Sequence, residues 1–162
     1  MQIKEEYKNT NFVEKMYKRL EQLCQKENKE LSKLNCLEEY SNAVNKIIEE
    51  KWLDTYIALY LLSERIREKN IKINISATNK GILENVAMFM IWLLIDDNEK
   101  LKSGIGYSNV IPKKYIENMT LGEIEDKYKD KVFIQVNAKD KETVEQILDE
   151  LSSNWQENII IV

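Results

Sequence analysis

Catalysis by side chains needs a group that moves a proton, holds a metal or attacks a substrate, and the 162 residues offer few of them. Histidine is absent, which removes the commonest general base and the commonest metal ligand together. Triads built on imidazole and mixed His/Cys zinc sites are thereby excluded. Cys24 and Cys36 are the only thiols, and a pair cannot complete a four-thiolate zinc site. Asp96 and Asp97 are adjacent carboxylates that either meet a cation or end a helix in water. No loop has the glycine spacing that cradles phosphate: Asn79-Lys80-Gly81 holds a lone glycine, and Gly104-Ile105-Gly106-Tyr107 leads into no clear helix. Both read as caps or turns. The sequence therefore assigns no catalytic residue, no metal ligand and no cofactor.

What remains is binding. Lys113-Lys114-Tyr115 is a small basic-aromatic cluster on a long loop, and with Lys80 it forms the set that a ligand or nucleic acid would contact. A solvated loop accounts for the same residues equally well. Trp52, Trp92 and Trp155 fall within apolar patterns, where core packing is the first reading and base stacking the second. Net charge is −4, and its distribution matters more than its size. Residues 1–70 hold thirteen basic and thirteen acidic side chains, whereas residues 71–162 hold eleven against fifteen. A duplex-binding domain usually presents a basic face, since counterion release supplies most of its affinity. The acidic second half disfavours nucleic acid and suits a basic groove on a partner protein. Two cysteines are too few for a secreted disulfide scaffold, and Met1 to Glu6 is too polar for a signal peptide, so the expected compartment is the cytoplasm. The longest apolar run, Ile82 to Ile95, is shorter than the ~20 residues that span a bilayer, so it reads as a buried helix and no membrane is expected.

The elements that must position these residues follow from periodicity. The length suits one domain over 1–162, with an N-terminal helical segment, 1–36, and a core, 37–162. Phe12, Met16, Leu20 and Leu23 mark an amphipathic helix between Glu5 and Gln25. A longer helical stripe runs from Leu37 to Lys69, with a break near 51–54 and solvated last turns. Ile71, Ile73 and Ile75 alternate with Lys72, Asn74 and Ser76, the pattern of a half-buried strand. Gly81 to Asp96 is apolar almost all round and reads as the central core helix. The segment from Asp96 to Pro112 reads as the main irregular loop. Thr120 and Glu123 fit a capping box for a short helix ending near Tyr128. Val132, Ile134 and Val136 form a second strand, Glu142 to Leu151 a helix with Val144, Ile147, Leu148 and Leu151 inward, and Ile159 to Val162 a third strand. The expected class is α+β: a helix-rich N-terminal half and a small mixed sheet that includes a C-terminal β-α-β unit with parallel strands.

The run Ile47-Ile48-Glu49-Glu50-Lys51-Trp52, the helix from Tyr56 to Lys69 and the strand after it, the segment Ile75 to Met88, and Val110-Ile111-Pro112-Lys113-Lys114-Tyr115 occur in an order that resembles the palm core of bacterial C-family DNA polymerases. The likeness covers residues from about Leu37 to the end and is carried by order more than by motif. In that family, the strand matching Asp130 to Asn137 bears catalytic aspartates, and such carboxylates hold the two metal ions at the transferring phosphate. This chain has Phe133 and Gln135 there, or Ile134 and Val136 in the neighbouring register. Its counterpart of the triphosphate loop, Ser76 to Gly81, has only one glycine and no arginine. The resemblance thus implies a palm stripped of chemistry. The expected function is a non-catalytic protein-binding module, a phage- or mobile-element-type inhibitor or decoy acting on replication or defence machinery. The alternatives are an immunity- or antitoxin-like protein that blocks a toxin enzyme, and a single-stranded nucleic-acid binder.

Overall fold

The computed structural model describes residues 1–8, 14, 42, 53–79, 81, 105–108 and 110–162. Most of the predicted 5–25 helix, the first part of the 37–69 stripe and the 81–96 helix beyond Gly81 lie outside the described residues. So do Cys24, Cys36, Trp52, Trp92, Lys80, Asp96 and Asp97. In chain order the elements are α1 (Glu5–Lys8), α2 (Leu53–Glu68), β1 (Ile73–Ala77), β2 (Ile105–Tyr107), α3 (Lys113–Ile116), α4 (Leu121–Tyr128), β3 (Val132–Val136), α5 (Lys141–Leu151) and β4 (Ile159–Ile161). Short 3-10 turns sit at Ala138–Asp140 and Trp155–Glu157. The class is α+β.

The four strands pair in the order β2-β1-β3-β4. β3 and β4 run parallel, with Val132 opposite Ile159 and Ile134 opposite Ile161, and α5 is the crossover between them. β1 is antiparallel to β3, with Ile75 opposite Ile134 and Asn74 opposite Gln135. β2 adds to β1 in parallel, placing Gly106 beside Asn74. This strand lies inside the stretch expected to be an irregular loop. It is three residues long and centred on a glycine, so it shows no usable alternation, and only its pairing with β1 reveals it.

Side chains alternate across a sheet, and the register sorts them cleanly. Ile73, Ile75, Ala77, Val132, Ile134, Ile159 and Ile161 join one buried apolar cluster with Tyr56, Leu59, Leu62 and Ile66 of α2 and Val144, Ile147, Leu148 and Leu151 of α5. The inward row of α5 is the one its sequence predicts. Trp155 closes this layer, buried, with its indole Nε1 donating to Asp149 Oδ1 at 2.7 Å. Ile3 reaches the same core, while Lys4 N donates to the Leu151 carbonyl at 3.0 Å and Ser152 Oγ to the Gln2 carbonyl at 2.7 Å.

Three turns that enter or leave helices use residues with positive φ: Asn70 at 55°, Asn118 at 59° and Asp130 at 63°. Asn and Asp tolerate this region because a short polar side chain costs less there than a bulky one. At the end of α2, Asn70 N donates to the Arg67 carbonyl at 3.3 Å and Ile71 N to the Ile66 carbonyl at 3.0 Å, the two bonds of a Schellman cap. The buried Ile71 then leads the chain into β1. The last turns of α2 are less solvated than the charge alternation implies. Arg65 meets Glu150 of α5 and donates to Tyr7 Oη of α1 at 3.0 Å, and Tyr60 Oη donates to Glu64 Oε1 at 2.7 Å. Hydrogen bonding to Glu150 raises the Arg65 guanidinium above its ordinary value.

Replacing Ile134, which has no exposed surface, by Ala should lower unfolding free energy by about 2–5 kcal/mol in a denaturant titration. Glu150→Gln should cost no more than about 1 kcal/mol, and less at high salt, because Arg65 and Glu150 side chains remain 35% and 58% exposed.

Candidate functional site

The sheet face opposite the apolar core is polar along β1 and β3. Asn74 pairs across the strands with Gln135, and Ser76 with Phe133. Burial of β1 departs from the half-buried strand read in its alternation: Ser76 is 1% exposed. Both faces of that strand end are covered, and a sequence of alternating apolar and polar residues reports only the apolar one. Ser76 Oγ and Asn74 Oδ1 are withdrawn from solvent with no hydrogen-bond partner. An unpartnered buried polar atom costs about 1–3 kcal/mol, so these two are poorly explained by folding alone.

At the Ser76 end the face is closed by aromatic rings. Phe133, fully buried, has Tyr128 edge-on at 5.3 Å between centroids and Tyr115 at 5.4 Å. Tyr115 and Tyr128 themselves meet at 6.3 Å, within the range that favours T-shaped pairs. Tyr128 Oη donates to the Tyr115 carbonyl at 2.6 Å, and Thr78 Oγ1 to the Tyr128 carbonyl at 3.3 Å. α4, which carries Tyr128, opens with the predicted capping box: Glu123 N donates to Thr120 Oγ1 at 3.2 Å and Thr120 N to Glu123 Oε2 at 3.0 Å.

The basic-aromatic cluster sits on α3, a single turn after Pro112, rather than on an extended loop. Four helical residues are too few to show a period, so the sequence could not reveal the turn. Lys113 and Lys114 are exposed, with Lys114 Nζ 5.1 Å from the Tyr115 ring centre. Lys127 Nζ approaches the Tyr128 ring in the same way at 5.3 Å. The Tyr115 ring is engaged by Phe133, Tyr128 and Lys114, so packing joins Lys114 and Tyr115, while Lys113 shares their helical turn. Lys80 lies outside the described residues.

At the other end of the polar face, a cavity of about 340 Å³ is lined by Lys72, Ile73, Asn74, Gln135, Val136 and Asn137. A second, also about 340 Å³, is lined by Asn79, Glu125, Asp126 and Lys129. The first group is not legible in the sequence, because its residues come from two segments far apart in the chain and only the antiparallel register unites them. Among the described residues no three acidic, thiol or imidazole groups converge as a metal site, and no helix is long and apolar enough to cross a membrane. No family model matches the chain, and neither a curated protein nor a solved structure matches it.

Tyr128→Phe should cost about 1 kcal/mol for the lost hydrogen bond to the Tyr115 carbonyl. Phe133→Ala should cost about 3–5 kcal/mol by opening the aromatic cluster. Thermal melts of the two variants against the parent check both, and similar losses would contradict the arrangement.

Proposed function

We propose that the chain is a non-catalytic protein-binding module, a palm-like fold without palm chemistry that acts on replication or defence machinery in the cytoplasm. One observation carries the reading: the face of β1 and β3 away from the apolar core carries Asn74 and Gln135, with Ser76 buried beside Phe133, and neither strand contains a carboxylate. Two-metal phosphoryl transfer needs acids there to hold the ions and neutralise developing charge. Amides and a hydroxyl bind; they do not supply that charge.

The partner-facing surface in this reading is the outer side of α5. Its inner row is committed to the core, while Glu142, Gln146, Asp149 and Glu150 are exposed. Glu145 is half-buried on the same helix. An acidic helix face of this kind steers association with a basic groove and makes the encounter sensitive to salt.

Two measurements test the proposal. Purified protein with magnesium, a primed template and nucleoside triphosphates should incorporate no nucleotide; magnesium-dependent incorporation would overturn the reading. In a pull-down from the native host, polymerase or nuclease subunits should be retained at low salt and released at high salt. A double variant Glu142→Lys/Glu145→Lys should weaken that capture by about tenfold, which corresponds to roughly 1.4 kcal/mol. Recovery of a toxin enzyme instead would replace the replication or defence partner with an immunity-type one.

A further inference from the structure

The cavity at the open end of the polar face has a chemistry of its own. Its lining includes Lys72, Asn74, Gln135 and Asn137, which carry one ammonium and three carboxamides. Among its described lining residues there is no acid to neutralise Lys72 and no aromatic ring on which a base could stack. Lys72 is exposed, whereas Asn74 and Gln135 are half-buried and directly paired across β1 and β3. Their positions are therefore set by the sheet backbone rather than by a loop. Beside the cavity, Asn74 Oδ1 is an acceptor shut away from solvent with no hydrogen-bond partner.

We propose that this cavity binds a small, non-aromatic organic anion rich in hydroxyl groups, the chemistry of a sugar phosphate or a sugar acid. The anionic group pairs with Lys72, whose ammonium acts as a mobile point charge. Hydroxyls satisfy the amides, each of which offers both donors and an acceptor. The space, about 340 Å³, is a shallow depression more open than enclosed, with room for a ligand of sugar phosphate size that keeps part of its surface in water. The site lies across the sheet from α5 and stands independently of the partner reading.

Isothermal titration of the full chain with inorganic phosphate, glycerol 3-phosphate, glucose 6-phosphate, gluconate and glucose tests the proposal. Glucose 6-phosphate or gluconate should bind saturably and more tightly than inorganic phosphate, and glucose without the anionic group should bind at least about tenfold more weakly. The stronger of the two anions identifies whether phosphate or carboxylate is the natural group. Lys72→Met, at an exposed position, should weaken binding about tenfold or more while leaving the thermal melt unchanged. Gln135→Leu should weaken the hydroxylated anions but not inorganic phosphate, a separation that a general loss of folding would not produce. The proposal is overturned if none of the anions saturates, if glucose binds as tightly as its phosphate, or if Lys72→Met binds as well as the parent.

Discussion

The antiparallel register of β1 on β3 is the constraint on which the rest of the structure depends. A slip of β1 by one residue would turn Ile75 away from the helices and push Asn74 into the apolar layer, and a slip of β3 would do the same to Ile134 and Gln135, since the two faces of a strand alternate residue by residue. Both strands enter the sheet from fixed points. Asn70 and the Schellman cap release the chain from α2 three residues before β1, and Asp130, with positive φ, releases it from α4 two residues before β3. Thr78 Oγ1 ties the end of β1 to the Tyr128 carbonyl, and Asn158 Nδ2 ties the start of β4 to the Asp130 carbonyl at 3.1 Å. The register is thus set at the helix ends as well as by hydrophobic matching within the strands.

With that register in place, the two faces of the sheet have different tasks. The apolar face supplies the burial that holds α2 and α5 against the strands. The other face adds Phe133 and its two tyrosines at one end, but toward the cavity it becomes steadily more polar. Alanine at position 76 would occupy the same place without leaving a hydroxyl unpartnered, so stability does not account for the serine. Asn74 presents the same difficulty beside a cavity wall. Polar groups kept against the energetics of folding are where recognition is expected.

How much of this was legible in the sequence depends on the range of the interaction. The capping box at Thr120 and Glu123 and the inward row of α5 are local patterns, and both appear where the residues place them. The parallel pairing of β3 and β4 followed from the intervening helix, because a short hairpin cannot join parallel strands. β2 and α3 were not legible, being three and four residues long. The left-handed residues were hidden by composition: Asn70, Asn118 and Asp130 look like ordinary polar turn residues, and the αL conformation depends on the helix each one ends. The cavity was hidden for a stronger reason. Among the described residues, β2, α3 and α4 lie between Lys72 and Asn74 on one side and Gln135 and Asn137 on the other, and no single-segment pattern brings them together.

The arrangement of acids on α5 shows what the fold uses and what it leaves over. Asp149 and Glu150 lie in the last turn with no basic residue beside them on the helix, where the macrodipole disfavours negative charge. Each is offset by a specific partner: Asp149 accepts from the Trp155 indole, and Glu150 meets Arg65 of α2. Asp149 thereby ties α5 to the turn before β4 within the β-α-β unit, and Glu150 ties that unit to α2. Glu142 lies in the first turn, where the dipole favours it, and its contact with Gln146 Nε2 is long at 3.5 Å. Its charge, and that of Glu145, is available for steering rather than structure. Because α5 covers the apolar face while the amide-lined cavity opens on the polar one, a macromolecule bound along α5 would leave the cavity accessible. Occupation of the two surfaces is then compatible, and any influence of one on the other would have to pass through the β1–β3 pairing that separates them.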